Sequence, residues 1–241
     1  MKKFSNSHPI IFTILLFFVA LIIASPMSAI GSSMGGLEIG GAIGRIIVGC
    51  ALIIIFWECF RKNRLFSGIK YMIPTILFPI WNVMYHLFSG MMEIHTMDEI
   101  AGVLILGIAP AIFEEVIFRG IMIDKLRQKG KSDVAILLLS AIVFGAIHLT
   151  NIAGVDLANV LLQTGYAFVV GLVFGAIYIK SNDILSVMIA HALIDISSQI
   201  FVSNPINTDV RLIVVFGIVL LIEAVYAIRL VVKKKFCMII G

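Results

Sequence analysis

The apolar residues of this chain fall into long, nearly uninterrupted runs, separated by short polar stretches. A helix that spans a bilayer needs about 20 apolar residues, and lipid leaves no water to satisfy backbone groups outside helices. The runs lack the alternation of a transmembrane barrel strand. We therefore predict an all-α, polytopic membrane helical bundle that forms a single membrane domain over residues 1–241. Its eight predicted transmembrane helices are 10–30, 41–60, 71–92, 100–123, 134–149, 158–179, 184–201 and 212–232.

The composition supports this class. Hydrophobic residues make up 61% of the chain and charged residues 13%, whereas a soluble domain carries about 25% charged residues. The formal net charge is +4, but the basic residues lie between apolar runs instead of clustering into one binding patch. We therefore expect membrane lipid as a partner and no nucleic acid.

The distribution of Lys and Arg predicts an orientation. Basic residues accumulate in cytoplasmic loops. With a cytoplasmic N-terminus, 16 of the 18 Lys and Arg lie on that side, and only Arg45 and Arg211 lie opposite. Both termini are then cytoplasmic, which is consistent with eight spans. We expect an integral protein of a bacterial cytoplasmic membrane. Residues 24–29 resemble a signal cleavage site, but the run is long enough to span, so we expect an uncleaved first helix.

Ionisable residues inside the fourth run form the first candidate site. An ionisable group within a span is costly and by default indicates function. Glu114 and Glu115 are adjacent, and Arg119 lies one helical turn after Glu115 on the same face. We predict a Glu115–Arg119 ion pair, which leaves Glu114 available as a general base. The alternative is a charge cluster at a helix end whose side chains reach the interface.

Two further runs carry histidines. His148 follows Phe144 by four residues in the fifth run, and Asp195 follows His191 by four in the seventh. Taken alone, each is equally typical of hydrogen bonding between helices. At about 1.5 Å per residue, Glu114 and His191 lie about 15 Å from the cytoplasmic end, but His148 lies nearer 25 Å. Counting residues therefore indicates a mismatch in depth for His148, which helix tilt or a lower start of the fifth helix would remove.

Together, the three motifs resemble a known family. Glu-Glu-x-x-x-Arg, Phe-x-x-x-His and His-x-x-x-Asp, in this order on separate apolar helices, are similar to the CPBP (Abi) family of CAAX-type and bacteriocin-processing membrane proteases. That family includes the type II CAAX prenyl endopeptidases. The resemblance covers residues 101–201, the predicted catalytic core of helices four to seven. It implies hydrolysis of a peptide bond in a membrane-associated peptide or lipidated protein.

The resemblance also implies roles for the motif residues. Glu114 with His148 would activate water, and His191 and Asp195 would stabilise the oxyanion or position the substrate. Glu115 and Arg119 would shape the site. The third motif of the prenyl endopeptidases typically ends in Asn, so Asp195 must be protonated, orient His191, or have another role. Zinc is one expectation, with Glu114, His148 and His191 as ligands. No HExxH motif is present, and water activation without metal fits these residues as well.

Two other functions remain open. In the first, the chain is a non-catalytic bacteriocin-immunity or regulatory membrane protein. Substitution of the motif residues would then leave its phenotype unchanged. In the second, the chain is a transporter or channel and the motif residues form an ion path, although no internal repeat or paired interrupted helices support this.

Several polar or small residues outside the motifs are expected to be structural. We expect Asn82 and His86 to contribute structural polarity on the third helix, and Glu223 to contact a neighbouring span. Gly165, Gly171 and Gly175 predict a close packing face on the sixth helix, which we expect to pass behind the site.

Overall fold

The computed structural model describes residues 2–31, 37–90, 92–202 and 210–236. Within those ranges the chain is almost entirely helical, with one isolated bridge between Ile94 and Phe201. The helices are α1 (Lys2–Ser7), α2 (Pro9–Ala24), α3 (Pro26–Gly31), α4 (Leu37–Ile55), α5 (Trp57–Phe60), α6 (Ile69–Met72), α7 (Leu77–Ser89), α8 (Met97–Glu115), α9 (Ile123–Gln128), α10 (Asp133–Ile147), α11 (Leu157–Ser181), α12 (Ile184–Gln199) and α13 (Val210–Phe236). Ile73–Ile76 and His148–Ala153 form 3₁₀ turns, and Val116–Met122 forms a π-helix.

Local sequence signals define where the helices of the core begin. Thr96 forms a capping box with Glu99 at the start of α8. Ser132, Asp156 and Asp183 each accept a backbone N–H at the start of α10, α11 and α12. Such side chains satisfy donors that the first turn of a helix leaves unpaired.

The predicted helical bundle is confirmed, with a difference in the number of long spans. Within the described ranges, six helical segments are long and apolar enough to cross a membrane: Pro9–Ala29, Glu38–Ile55, Glu99–Gln128, Asp133–Ala153, Leu157–Ser181 and Val210–Val232. The predicted seventh span is the apolar but shorter helix α12. The predicted third span is divided into α6, a 3₁₀ turn and α7, because Pro74 has no N–H to continue the helix.

The fourth span is continuous but not uniformly α-helical. α8 leads through the π-helix into α9, so the segment runs from Met97 to Gln128. Every residue of the π-helix is buried. Gly120 lies in it, and a Cβ atom there would come within 2.1 Å of the Phe60 ring. Single turns of π-helix within α-helices are frequent at functional sites.

The bundle has two distinct ends. At one end, Arg127 donates to Asn182, the Arg64 amide donates to the Asn182 carbonyl, and Lys129 donates to the Ser7 carbonyl. We call this the basic end. At the other end, the His95 amide donates to the Ile200 carbonyl. We call this the distal end.

Candidate active site

A cavity of about 330 Å³ lies among α2, α4, α8, α10, α11 and α12. Four of the six predicted site residues line it, namely Glu114, His148, His191 and Asp195. The structure therefore brings the three motifs to one place. The other lining residues are Phe17, Leu21, Arg45, Pro110, Phe113, Phe144, Ile147, Thr150, Asn151, Gln163, Tyr166, Ala167, Val170 and Ile194.

Glu115 and Arg119 do not line the cavity, and both are fully buried. Arg119 Nη1 donates to Glu115 Oε1 over 3.0 Å, as the i,i+4 spacing predicts. Arg119 also donates to the Gly171 carbonyl at 3.4 Å, and its guanidinium lies 4.2 Å from the centre of the Phe144 ring. The pair therefore connects α8 and the π-helix to α10 and α11.

His191 binds the same carboxylate. Its Nδ1 lies 2.8 Å from Glu115 Oε1, and its Nε2 lies 3.5 Å from Asp195 Oδ2. A proton on Nδ1 donates to Glu115, and one on Nε2 faces Asp195. His191 is therefore hydrogen-bonded directly to Glu115, and it lines the same cavity as Glu114. Asp195 therefore lies next to His191, and the choice among its three possible roles stays a prediction.

His148 lies where α10 ends. Its Nδ1 is 2.9 Å from the Phe144 carbonyl, which can only accept. Nδ1 is therefore the protonated nitrogen of the neutral ring, and Nε2 keeps its lone pair.

The predicted mismatch in depth for His148 is wrong. The fourth segment extends to Gln128, beyond the position from which the depth of Glu114 was counted, and α10 begins at Asp133. Glu114 and His148 therefore lie at about the same depth, counted in residues from the basic end of the bundle. Both line the cavity.

Glu114 differs from its neighbour in its surroundings. It is partly buried and faces the cavity. No described residue hydrogen-bonds to its carboxylate or forms an ion pair with it, whereas Glu115 is bound to both Arg119 and His191. Glu114 is therefore the carboxylate that is available to a substrate or to water.

The predicted zinc ligands do not form a metal site. Among the described residues, no group of three or more His, Cys, Asp or Glu side chains is placed to hold a metal ion. His148 Nδ1 and His191 Nδ1 already donate to protein oxygens, and His191 Nε2 faces Asp195. Zinc ligation requires a free nitrogen lone pair from each histidine, converging at about 2.0–2.1 Å. We derive no chemical step through a metal.

Sequence reasoning missed part of the cavity wall. Arg45 on α4, and Gln163 and Tyr166 on α11, face the cavity, and Asn151 donates to Gln163. α11 therefore contributes to the site and does not simply pass behind it. Arg45 carried a usable signal, since it is an arginine inside an apolar run. Gln163 and Tyr166 carried none, because neither side chain is unusual near the end of a membrane helix.

Asn82 and His86 make contacts between helices, whereas the expected partner of Glu223 is not found among the described residues. Asn82 donates to the Ile194 carbonyl and to Ser197, and His86 stacks on Phe201 with ring centres 3.9 Å apart. Glu223 is fully buried, and neither carboxylate oxygen has a hydrogen-bond partner among the described residues.

The predicted glycine face of α11 is confirmed only in part. Gly171 and Gly175 pack against α10, where a Cβ would meet Ala141 at 3.0 Å and Leu137 at 3.1 Å. Gly165 has no atom within 4 Å of a Cβ position, so its inclusion in this face is wrong.

Residues 96–197 match the family model described as Type II CAAX prenyl endopeptidase Rce1-like. The family resemblance is thereby confirmed. Neither a curated protein nor a solved structure matches the chain. The match covers α8 to α12, the helices that supply all six motif residues. The match supports the general activity of a CAAX-type endopeptidase that acts within a membrane on a peptide or protein. The six long apolar segments make the chain an integral membrane protein.

Proposed function

We propose that this protein is an intramembrane endopeptidase that hydrolyses a peptide bond in a membrane-associated peptide or lipidated protein, with Glu114 and His148 activating the attacking water. The observation that carries the proposal is the unpaired Glu114 carboxylate in one cavity with His148, whose Nε2 is free to accept a hydrogen bond. A general base acts on water at hydrogen-bond distance, and both groups are accessible from the same space.

In the proposed reaction, a water molecule donates hydrogen bonds to Glu114 and to His148 Nε2. Glu114 accepts one water proton as the oxygen attacks the peptide carbonyl carbon. The tetrahedral intermediate collapses, the C–N bond breaks, and Glu114 returns the proton to the departing nitrogen. The products are a carboxylic acid and an amine, which ionise to a carboxylate and an ammonium group. The net reaction consumes one water and needs no other reactant.

The developing oxyanion needs donors that are already in place. With both ring nitrogens protonated, His191 donates from Nδ1 to Glu115 and supplies an N–H at Nε2, which lies at the cavity wall beside Asp195. Tyr166 supplies a second candidate donor, because its hydroxyl makes no hydrogen bond to a described residue. Its ring is held against Phe78 and Phe216, with centres 5.7 Å apart in each case. In this proposal Asp195 orients His191 and does not itself face the oxyanion.

The buried pair of Glu115 and Arg119 supports these groups. Glu115 Oε1 accepts from both Arg119 and His191, so it determines the ring orientation of His191. These two residues position the catalytic groups without contacting the substrate.

The direct test compares cells that produce the wild-type protein with cells that produce Glu114→Gln. Peptides from the membrane and from the medium are identified by mass spectrometry. We expect at least one peptide that is cleaved with the wild type and intact with Glu114→Gln. The amide keeps the size of the side chain but cannot accept the proton of water.

Glu223→Gln is the matched control, because Glu223 is also an intramembrane carboxyl group but does not line the cavity. It should leave cleavage unchanged. Cleavage that persists in Glu114→Gln would end the assignment of the base. An immunity phenotype that persists in both variants, with no peptide affected, would favour the non-catalytic alternative.

A further inference from the structure

The two ends of the bundle differ in charge. The turns at the basic end, between α5 and α6 and between α9 and α10, contain Arg61, Lys62, Arg64, Lys129 and Lys131. The described residues of the connections at the distal end, 25–31, 90, 92–96, 148–156 and 200–202, contain no Lys or Arg and carry the acidic residues Glu93 and Asp156. Since basic loops stay in the cytoplasm, the distal end faces the opposite side of the membrane.

The cavity lies in the distal half of the bundle. On α10 and its 3₁₀ turn, the lining residues begin at Phe144 and extend to Asn151, which is the distal end of that segment. On α11, which runs antiparallel to α10, they are confined to 163–170, near its distal start. Helix α12 contributes its distal part, from His191 to Asp195.

The exposure of the lining residues shows where the cavity opens. Arg45, Thr150, Asn151 and Gln163 are exposed, and all four lie toward the distal end. On the basic side, the fourth segment is completely buried from Val116 to Ile123 and closes the cavity. A substrate therefore has an open route from the distal end and none from the basic end.

We propose that the site takes its substrate from the side of the membrane opposite the cytoplasm, so that the peptide bonds it cleaves belong to exported peptides or to extracytoplasmic segments of membrane proteins. This rests on the proposed function for the cleavage, whereas the direction of access rests on the charges and the cavity alone. This direction of access excludes cytoplasmic lipidated proteins as substrates, because they would approach the basic end, where the cavity is closed.

The direction of access can be measured without any activity. The three native cysteines are first replaced, as Cys50→Ser, Cys59→Ala and Cys237→Ser. A single cysteine is then introduced either at the mouth, meaning the exposed distal opening of the cavity, as Asn151→Cys, or at the basic end, as Leu65→Cys. Both positions are exposed. Intact cells are treated with a membrane-impermeant maleimide, and disrupted cells serve as the reference for full labelling.

We expect Asn151→Cys to be labelled in intact cells and Leu65→Cys to be labelled only after disruption. The reverse pattern would overturn the proposal. If Asn151→Cys does not accumulate in the membrane, Gln163→Cys on α11 carries the same expectation, since Gln163 also lies at the mouth.

The substrate side is measured separately, by locating each cleavage that is lost in Glu114→Gln. We expect these sites in exported peptides or in extracytoplasmic segments. Sites in cytoplasmic segments would overturn the substrate class. If no cleavage depends on Glu114, the proposed function fails, while the labelling experiment still decides the orientation of the cavity.

Discussion

Two adjacent glutamates at the end of α8 have different surroundings. Glu115 is fully buried and accepts hydrogen bonds from Arg119 and His191, whereas Glu114 faces the cavity without a partner among the described residues. Removing one member of a buried ion pair leaves the other charge uncompensated, which costs about 3–5 kcal/mol. The same change at a carboxylate open to a cavity carries no such penalty.

We therefore predict that Glu115→Gln lowers the free energy of unfolding by about 3–5 kcal/mol, while Glu114→Gln leaves it nearly unchanged. Both variants should lose cleavage. The measurement is thermal unfolding of the purified proteins in the same detergent. Equal destabilisation by the two substitutions would mean that Glu114 is also a structural residue.

A second prediction concerns Asp195, whose Oδ2 lies 3.5 Å from His191 Nε2. If Asp195 orients the ring through an accepting oxygen, Asp195→Asn keeps that oxygen and should retain most of the cleavage rate. Asp195→Ala removes it and should lower kcat by roughly 10-fold, which corresponds to the loss of a contact worth about 1.4 kcal/mol.

The measurement for Asp195 is steady-state cleavage of the peptide identified in the proteomic comparison. KM should change less than kcat, because the substrate does not contact this oxygen. An inactive Asp195→Asn variant would instead show that the reaction needs a carboxyl group at this position.

Spacing along one helix predicted contacts within that helix but not between helices. The Glu115–Arg119 pair followed from i,i+4 geometry. The partner of His191 did not, because it depends on how α12 is rotated and shifted against α8. A sequence pattern fixes which residues share a face, but packing decides which residue of the neighbouring helix that face meets.

At the scale of helices, the contact between α8 and α12 holds the two halves of the site together. Gly107 permits this approach, because a Cβ atom there would lie 2.5 Å from Ile196 Cγ1 and 3.0 Å from the Ile196 backbone nitrogen. Backbone cannot move aside as a flexible side-chain end can. A methyl group at Gly107 must therefore displace α12, which carries His191 and Asp195.

We predict that Gly107→Ala destabilises the protein by roughly 1–3 kcal/mol, as overpacking does. It should also reduce cleavage by about 10²-fold through a shift of about 1 Å at the site. Gly217→Ala on α13 is the matched control, since no described atom lies within 4 Å of its Cβ position. Unfolding temperature and cleavage rate are measured for both variants. Wild-type behaviour of Gly107→Ala would show that α12 is free to adjust.

Helix boundaries were predictable where an apolar run is long and uninterrupted, and less predictable where the run contains a proline. The prolines illustrate the limit. Pro74 ends α6 and replaces one predicted span with two short helices, whereas Pro110 lies within α8 without ending it. Position and neighbouring packing decide between these outcomes, and neither is visible in a single sequence.

For the molecule as a whole, the cavity is open at one end and closed at the other, which bears on the transport alternative. Residues Val116–Ile123 are buried on the basic side of the site, so no continuous polar path joins the two ends through the described part of the chain.

We therefore predict that liposomes containing the purified protein leak protons no faster than protein-free liposomes. The leak is measured under an imposed pH gradient with a pH-sensitive dye enclosed in the liposomes. An added protonophore confirms that the vesicles hold a gradient. A proton flux that is present with the wild type and absent with Glu114→Gln would contradict this prediction, because it would require a second conformation that is open toward the basic end. Flux that is equal in wild type and Glu114→Gln would instead indicate leakage around the protein and not through the site.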